Sequence, residues 1–324
     1  MPESLAHPRF AYTRGLHDLG AGAWAWLQPD GSWGWSNAGL VHDGDACLLV
    51  DTLFDARLTG EMLAALRASV PAARRIGTLV NTHANGDHWY GNALVPDAEI
   101  IATRAGAEEM AHDSPAVIAE FVRRAPELGP LGAYVQHCFG AFRFEGIETR
   151  LPTRTFEGRL ELSVGDKLVE LIQVGPAHTR GDCLVHVPGD RLVFSGDILF
   201  VGGTPIVWAG PVQRWIDACD RILALDPAVV VPGHGPVTDA RGVAAVRSYL
   251  AFLQAEARKR FEAGLSVRDA AFDIALGDYA AWGDAERLAV NVSTLYREWS
   301  GDPAPANVVE LFGLMAELWC ARRR

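Results

Sequence analysis

Short apolar, β-branched runs recur along the chain, and each closes on a cluster of polar residues. They span 46–52 (ACLLVDT), 75–83 (RIGTLVNTH), 98–103 (AEIIAT), 168–174 (LVELIQV), 183–188 (CLVHVP), 191–197 (RLVFSGD) and 228–235 (AVVVPGHG). Such runs predict strands. Because they are apolar along nearly their whole length, both faces should be covered, which predicts a layered α/β core with helices outside the sheet. Helical periodicity lies between some of the runs. Residues 55–69 place Leu58, Met62, Leu63 and Leu66 on one face, and residues 213–225 do the same with Trp215, Ile216, Cys219, Ile222 and Leu223.

Residues 104–140, which contain Pro115, Pro126 and Pro130, read as a mostly helical insertion. Beyond about residue 240 the strand signals stop, and helices are predicted over roughly 240–263, 285–299 and 307–321. The expected organisation is a catalytic core over 1–240 and a helical C-terminal region over 241–324 packed on it.

Composition narrows the partners. The chain has 324 residues, 49% hydrophobic and 21% charged, enough for a full core. Its net charge of −11 repels phosphate backbones and argues against nucleic acid. The only basic run is Arg322 to Arg324, read as a solvated terminus. No stretch is apolar for long enough to cross a membrane. The first ten residues lack the apolar run of a secretion signal, and the five cysteines show no paired spacing. The expected compartment is therefore the cytoplasm. Sequence does not fix the oligomeric state, and a homodimer is compatible with it.

Chemistry concentrates where the runs end, after Val80, Val174, Phe194 and Val231. The stretch 83–88 packs His83, Asn85, Asp87 and His88 into six positions, so a single loop can turn several donors toward one cation. His178 follows in GPAHTRGD, Asp197 in FSGD and His234 in VPGHG, where Gly233 and Gly235 suit a sharp turn. Imidazole and carboxylate suit zinc, with iron or manganese as further candidates. His7, His17, His42, His112, His137 and His186 have no such company and read as ordinary core or surface residues.

Taken in order, H-x-N-x-D-H, A-H-T-x-G-D, S-G-D and P-G-H-G resemble the motifs of the metallo-β-lactamase superfamily over about residues 15–240, including SNAGLV (36–41) and VDT (50–52). The resemblance implies a four-layer αββα sandwich with the metal site at one edge, extended here by C-terminal helices. By position it implies that His83 and His178, with Asn85, hold a first metal. Asp87, His88 and His234 would hold a second, and Asp197 would bridge the two. It further implies a role for Asp87 in catalysis and a supporting role for Asp51. One departure stands out: the family usually has histidine where this chain has Asn85, and an amide oxygen is the poorer donor, so the first site should be weaker.

One or two zinc ions in such a site would acidify a bound water and supply a hydroxide nucleophile. The leading expectation is hydrolysis of an acyl bond in a thioester, ester or lactone. Two other reactions compete with it. One is an aldol-type carbon–carbon cyclase or lyase acting on a polyketide-like small molecule, and the other is a mononuclear iron dioxygenase. Trp33 and Trp35, on a predicted loop, and Tyr90 and Trp208, beside the motifs, are candidates to line the substrate pocket.

Overall fold

The computed structural model describes residues 5–302 and 306–323; residues 1–4 and Arg324, the end of the basic terminus, lie outside it. Two sheets form its centre. The first contains β1 (Gly15–Gly20), β2 (Ala23–Leu27), β3 (Ala38–Asp43), β4 (Ala46–Val50), β5 (Thr78–Val80), β6 (Glu99–Thr103) and β7 (Arg154–Phe156), side by side in chain order. It begins as an antiparallel meander and turns parallel from β4 onward. The second contains β8 (Arg159–Val164), β9 (Lys167–Gln173), β10 (Cys183–Val187), β11 (Leu192–Phe200) and β12 (Val229–His234). It is antiparallel except for the β11–β12 pair.

Alternation along each strand explains the continuous apolar runs. In β4, Leu48 and Val50 face the other sheet, where they join Val80, Ile101, Leu171, Val185 and Phe194 in an inter-sheet core. Leu49 between them faces outward, in a second core shared with the helices. The sheets meet so closely that a Cβ on Gly39 would lie 2.0 Å from the Phe194 ring.

Helices cover both outer faces: α1 (Ala56–Ser69), α2 (Arg104–Met110), α3 (Pro115–Arg124), α4 (Gly129–Phe139), α5 (Val212–Ala224), α6 (Ala240–Glu262), α7 (Val267–Asp273), α8 (Leu288–Ser300) and α9 (Val308–Arg322). The expected αββα sandwich with a helical C-terminal region is the observed fold. Helix α1 starts at Asp55, whose carboxylate accepts from the Leu58 N–H at 2.7 Å, and it buries the four apolar residues its periodicity selected. Pro115 and Pro130 open α3 and α4, at positions that need no N–H. Val246, Leu250, Leu295 and Met315 of the C-terminal helices share one hydrophobic cluster with the core.

Five strands (β1, β2, β3, β7 and β8) and one helix are not among the predicted elements; β3 falls on the SNAGLV motif. β1 and β2 are rich in glycine, tryptophan and charge, β7 has three residues, and β8 alternates exposed and half-buried positions at a sheet edge. Helix α7 is only seven residues long. Among the described residues, no helix is long and apolar enough to cross a membrane.

Candidate metal centre

All seven predicted donors meet at one edge of the sandwich. After β5 the chain enters a loop that Asn81 and Asn92 lock by reciprocal amide bonds of 3.2 and 2.9 Å. A Cβ on Gly86 would strike the Tyr90 ring at 2.4 Å, so only glycine lets the loop close between Asn85 and Asp87. His178 sits on the loop joining β9 and β10. Asp182 braces that loop, accepting from the Thr179 N–H and hydroxyl and from the Ala177 N–H.

Asp197 was expected just past a strand end, but β11 continues through it. A register shift between Phe194 and Gly196, with Gly196 at φ +50°, re-aims the chain there. Gly233 approaches so closely that a Cβ would lie 1.9 Å from Asp197 Oδ1.

Asp197 is the centre of the cluster. Its Oδ2 lies 3.3 Å from His178 Nε2, 3.4 Å from His234 Nε2 and 3.6 Å from His83 Nε2, and its Oδ1 lies 3.1 Å from His88 Nε2. Asp87 Oδ2 stands 3.2 Å from His234 Nε2 and 3.8 Å from His88 Nε2. Every imidazole therefore turns Nε2 inward, and every Nδ1 has a partner behind it. Those partners are Thr82 Oγ1 for His83 (3.0 Å), Asp51 for His88 (2.9 Å), the Ile206 carbonyl for His178 (2.7 Å) and the Gly31 carbonyl for His234 (3.1 Å). This is how ligating histidines are fixed in tautomer and direction. Asp51 also accepts from the Thr82 N–H and hydroxyl, both at 2.7 Å, and holds a φ of +62° to do so. Such backbone strain is tolerated where the surroundings demand it.

The residues fit a metal. His83 Nε2, His88 Nε2 and Asp197 Oδ1 are buried with no hydrogen-bond partner, although the last two are 3.1 Å apart. Buried polar atoms left this way call for a ligand. Among the described residues, two sets of donor atoms are compact enough to share an ion: Asp87, His88 and His234, and His83, His88 and Asp197. In the second set His88 stands where His178 was expected, with His178 on the other oxygen of Asp197.

Electrostatics divides the imidazoles. Burial lowers His83, with His88 adding to the effect, and burial pushes His178 down to about 4. Burial also opposes charge on His234, but Asp197 and Asp87 outweigh it and raise the group to about 9; His88 is raised in the same way by Asp197, Asp87 and Asp51.

Asn85 Oδ1 lies 2.5 Å from His178 Nε2. With His178 Nδ1 donating to Ile206, Nε2 carries a lone pair. The amide must then turn its N–H toward the ring or share a cation with it.

The cluster opens on a cavity of about 310 Å³. Asn85, Asp87, His178, Asp197 and His234 line its metal side, and Phe54, Ile118, Phe139 and Phe312 form an apolar wall. Tyr90, Trp208 and Trp33 also line this cavity. Trp35 does not: it turns away and packs on Phe142 at 4.8 Å. Trp33 is half-buried, its ring 5.9 Å from Phe139 and 5.7 Å from Phe312 of α9. Sequence reasoning missed Arg287, Phe312 and Ile206, which carry no motif and arrive through tertiary packing alone.

Four histidines and two carboxylates converging at the edge of a two-sheet sandwich define a metal-binding α/β enzyme class. The chain belongs to the metallo-beta-lactamase superfamily, whose family model matches residues 31–234. Among curated proteins it is 29% identical over 203 residues to the 2,4-dinitroanisole O-demethylase subunit alpha of Nocardioides sp. (strain JS1661), covering 60% of this chain and 51% of that protein. It is 26% identical over 216 residues to the acyl-coenzyme A thioesterase MBLAC2 of Homo sapiens, covering 61% and 72%. Among solved structures, the sec-alkylsulfatase Pisa1 from Pseudomonas sp. superposes with a TM-score of 0.63 at 17% identity, over 91% of this chain and 52% of that one. A metallo-beta-lactamase from Pontibacter korlensis gives 0.54 at 18%, over 74% and 99%. The chain thus spans about half the length of the demethylase subunit and of the alkylsulfatase. At such identities the structural likeness speaks for the fold.

Proposed function

We propose that the protein is a metal-dependent hydrolase cleaving an ester or thioester bond of a compact, largely apolar acyl substrate. The observation that carries this reading is the common aim of four imidazole Nε2 atoms around Asp197, beside a cavity with an aromatic wall. One or two ions, zinc foremost, would be held by His83, Asn85 and His178 on one side and by Asp87, His88 and His234 on the other, with Asp197 between. A metal so held supplies a Lewis acid for the carbonyl and acidifies a water from a pKa of about 15.7 toward about 7.

The chain's own residues do the rest. Asp197 keeps both donor groups in one frame. Asp87, whose carboxylate faces the cluster and borders the cavity, orients the attacking water. Phe54, Phe139 and Phe312 exclude bulk water and receive the apolar part of the substrate. The Tyr90 hydroxyl borders the same cavity beside the Asp113 carboxyl, and would turn from that carboxyl to donate to a substrate oxygen.

The test is metal-reconstituted protein against aryl esters, acyl-coenzyme A thioesters, lactones, an aryl methyl ether and a polyketide mimic. Saturable, metal-dependent turnover of at least one acyl class is expected. Cleavage of the ether alone would move the reaction to ether hydrolysis. Cyclisation of the mimic without hydrolysis would favour the carbon–carbon reading, and inertness toward the whole panel with metal bound would overturn the proposal.

A further inference from the structure

Helix α8 lies outside the matched stretch 31–234 and offers no donor to the cluster, yet one of its faces grips the segment that holds His178. Arg287, immediately before the helix, donates from Nη1 to the Thr204 carbonyl at 2.9 Å. Asn291 accepts from the Val207 N–H at 2.8 Å and donates from Nδ2 to the Pro205 carbonyl at 2.8 Å. Thr294 donates from Oγ1 to the Val207 carbonyl at 2.7 Å. Positions 287, 291 and 294 fall on one helical face. Side chains here take the place of the neighbouring strand that an extended segment would otherwise pair with.

Ile206 stands between the two residues that Asn291 holds. Its side chain borders the cavity, and its carbonyl receives the His178 Nδ1–H at 2.7 Å. The other three imidazoles take their partners from within the core, at Thr82, Asp51 and Gly31. Among the described residues, His178 is the imidazole whose own backing peptide is held by side chains of α8; the Gly31 turn behind His234 meets the C-terminal region one residue further on, where Ser32 Oγ donates to Asp284 at 2.6 Å. Asn291 is fully buried, and its amide is satisfied in both directions by these backbone groups, a geometry that fixes a peptide rather than merely filling space.

We infer that Asn291 is a positioning residue for the metal centre: by clamping the peptide groups on both sides of Ile206, it sets the tautomer and direction of His178. The inference rests on the reading of the cluster as a metal site. It assigns the C-terminal region a direct part in metal affinity.

Competition of the full-length protein against a chelator, with cobalt and with zinc, gives the affinity of each site without reference to turnover. His178→Ala identifies which constant depends on His178. Asn291→Asp keeps the acceptor for Val207 but sets a carboxylate against the Pro205 carbonyl. In that variant the His178-dependent affinity should fall by about 10-fold or more, the usual scale for losing the partner of a ligating histidine, while the other site stays within about twofold. Thr294→Val, a near-isosteric change that removes one bond of the same clamp, should shift the same constant in the same direction and less. It also carries the test if Asn291→Asp fails to fold. The cobalt absorption spectrum should change in both variants, and apoprotein melting should change little in Thr294→Val. Unchanged constants, or equal weakening at both sites, would overturn the inference. If His178→Ala itself leaves metal binding intact, the assignment of His178 as a ligand fails first, and that result is separable from any effect of α8.

Discussion

The loops of the core and the helices of the C-terminal region build the same cavity by opposite means. The core supplies every metal donor, four of them from the single loop 83–88, where Thr82 backs its neighbour His83 and Gly86 shapes the turn between Asn85 and Asp87, and the others from the β9–β10 loop, β11 and the end of β12. The C-terminal region supplies no donor. It contributes Arg287 and Phe312 to the cavity wall and Asn291 to the support of His178. The donors therefore fall in short motifs within the core, while the wall of the pocket draws on residues from Trp33 to Phe312. Variants that separate donor loss from wall loss are the way to break this division of labour.

The largest effect should come from Asp197→Ala. The carboxylate faces all four imidazoles, so its loss should empty the cluster and lower kcat/KM by about 10³-fold or more. Retention of the parent's metal content, measured by elemental analysis, would show that the donors do not need a common centre. Asp51→Asn comes next. Asp51 holds His88 Nδ1, the Thr82 N–H and the Thr82 hydroxyl together, so metal affinity should fall by about 10- to 100-fold with the cavity wall unaltered. Chelator competition checks the first point, and an unchanged KM on residual holoenzyme checks the second.

The two regions were also unequally legible in the sequence. His83, Asp87, His88, His178, Asp197 and His234 announce themselves because metal chemistry restricts residue type and because each follows an apolar run with a recognisable end. Asp51 was readable for the same reason. Phe312, Arg287 and Asn291 were not. They lie on helices whose periodicity predicts only that some face is buried, and nothing in a helical pattern says against what. Trp33 and Trp35 show the same limit within two positions. Both looked like pocket residues, but the backbone between them, with Gly34 at φ +70°, sends one ring into the cavity and the other away from it. Asp197 shows a milder version, since a bulge inside β11 performs the turn that a strand end was expected to make.

Asn85→His tests the one donor that departs from the family's pattern. The amide oxygen faces His178 Nε2 at 2.5 Å, where an imidazole would be the stronger donor. The substitution should tighten the weaker site by about 10-fold and raise the metal-to-protein ratio of purified protein toward two. Two equally tight sites in the parent, with no change in the variant, would show that the amide is no handicap.

The smallest effect sharpens the comparison most, because Trp33 is where core and C-terminal region meet. Its ring lies 5.7 Å from that of Phe312 and 4.6 Å below the Arg287 guanidinium, so it should act both as pocket wall and as packing. Trp35 has only the second role, against Phe142. Trp33→Leu should then raise KM for an apolar ester about threefold to tenfold, while metal content stays at the parent's level. The magnitude follows from aromatic pairs being worth about 0.5–1.5 kcal/mol beyond their burial. Trp35→Leu should lower the melting temperature and leave KM within about twofold. Phe312→Leu should raise KM as Trp33→Leu does. The double variant should cost less than the sum of the two singles, since each single already loses the shared contact. If the singles add fully, Trp33 and Phe312 serve the cavity separately and the seam between the regions carries no energy of its own. If Trp35→Leu raises KM as much as Trp33→Leu, the cavity extends behind Gly34, and the division drawn between the two tryptophans fails.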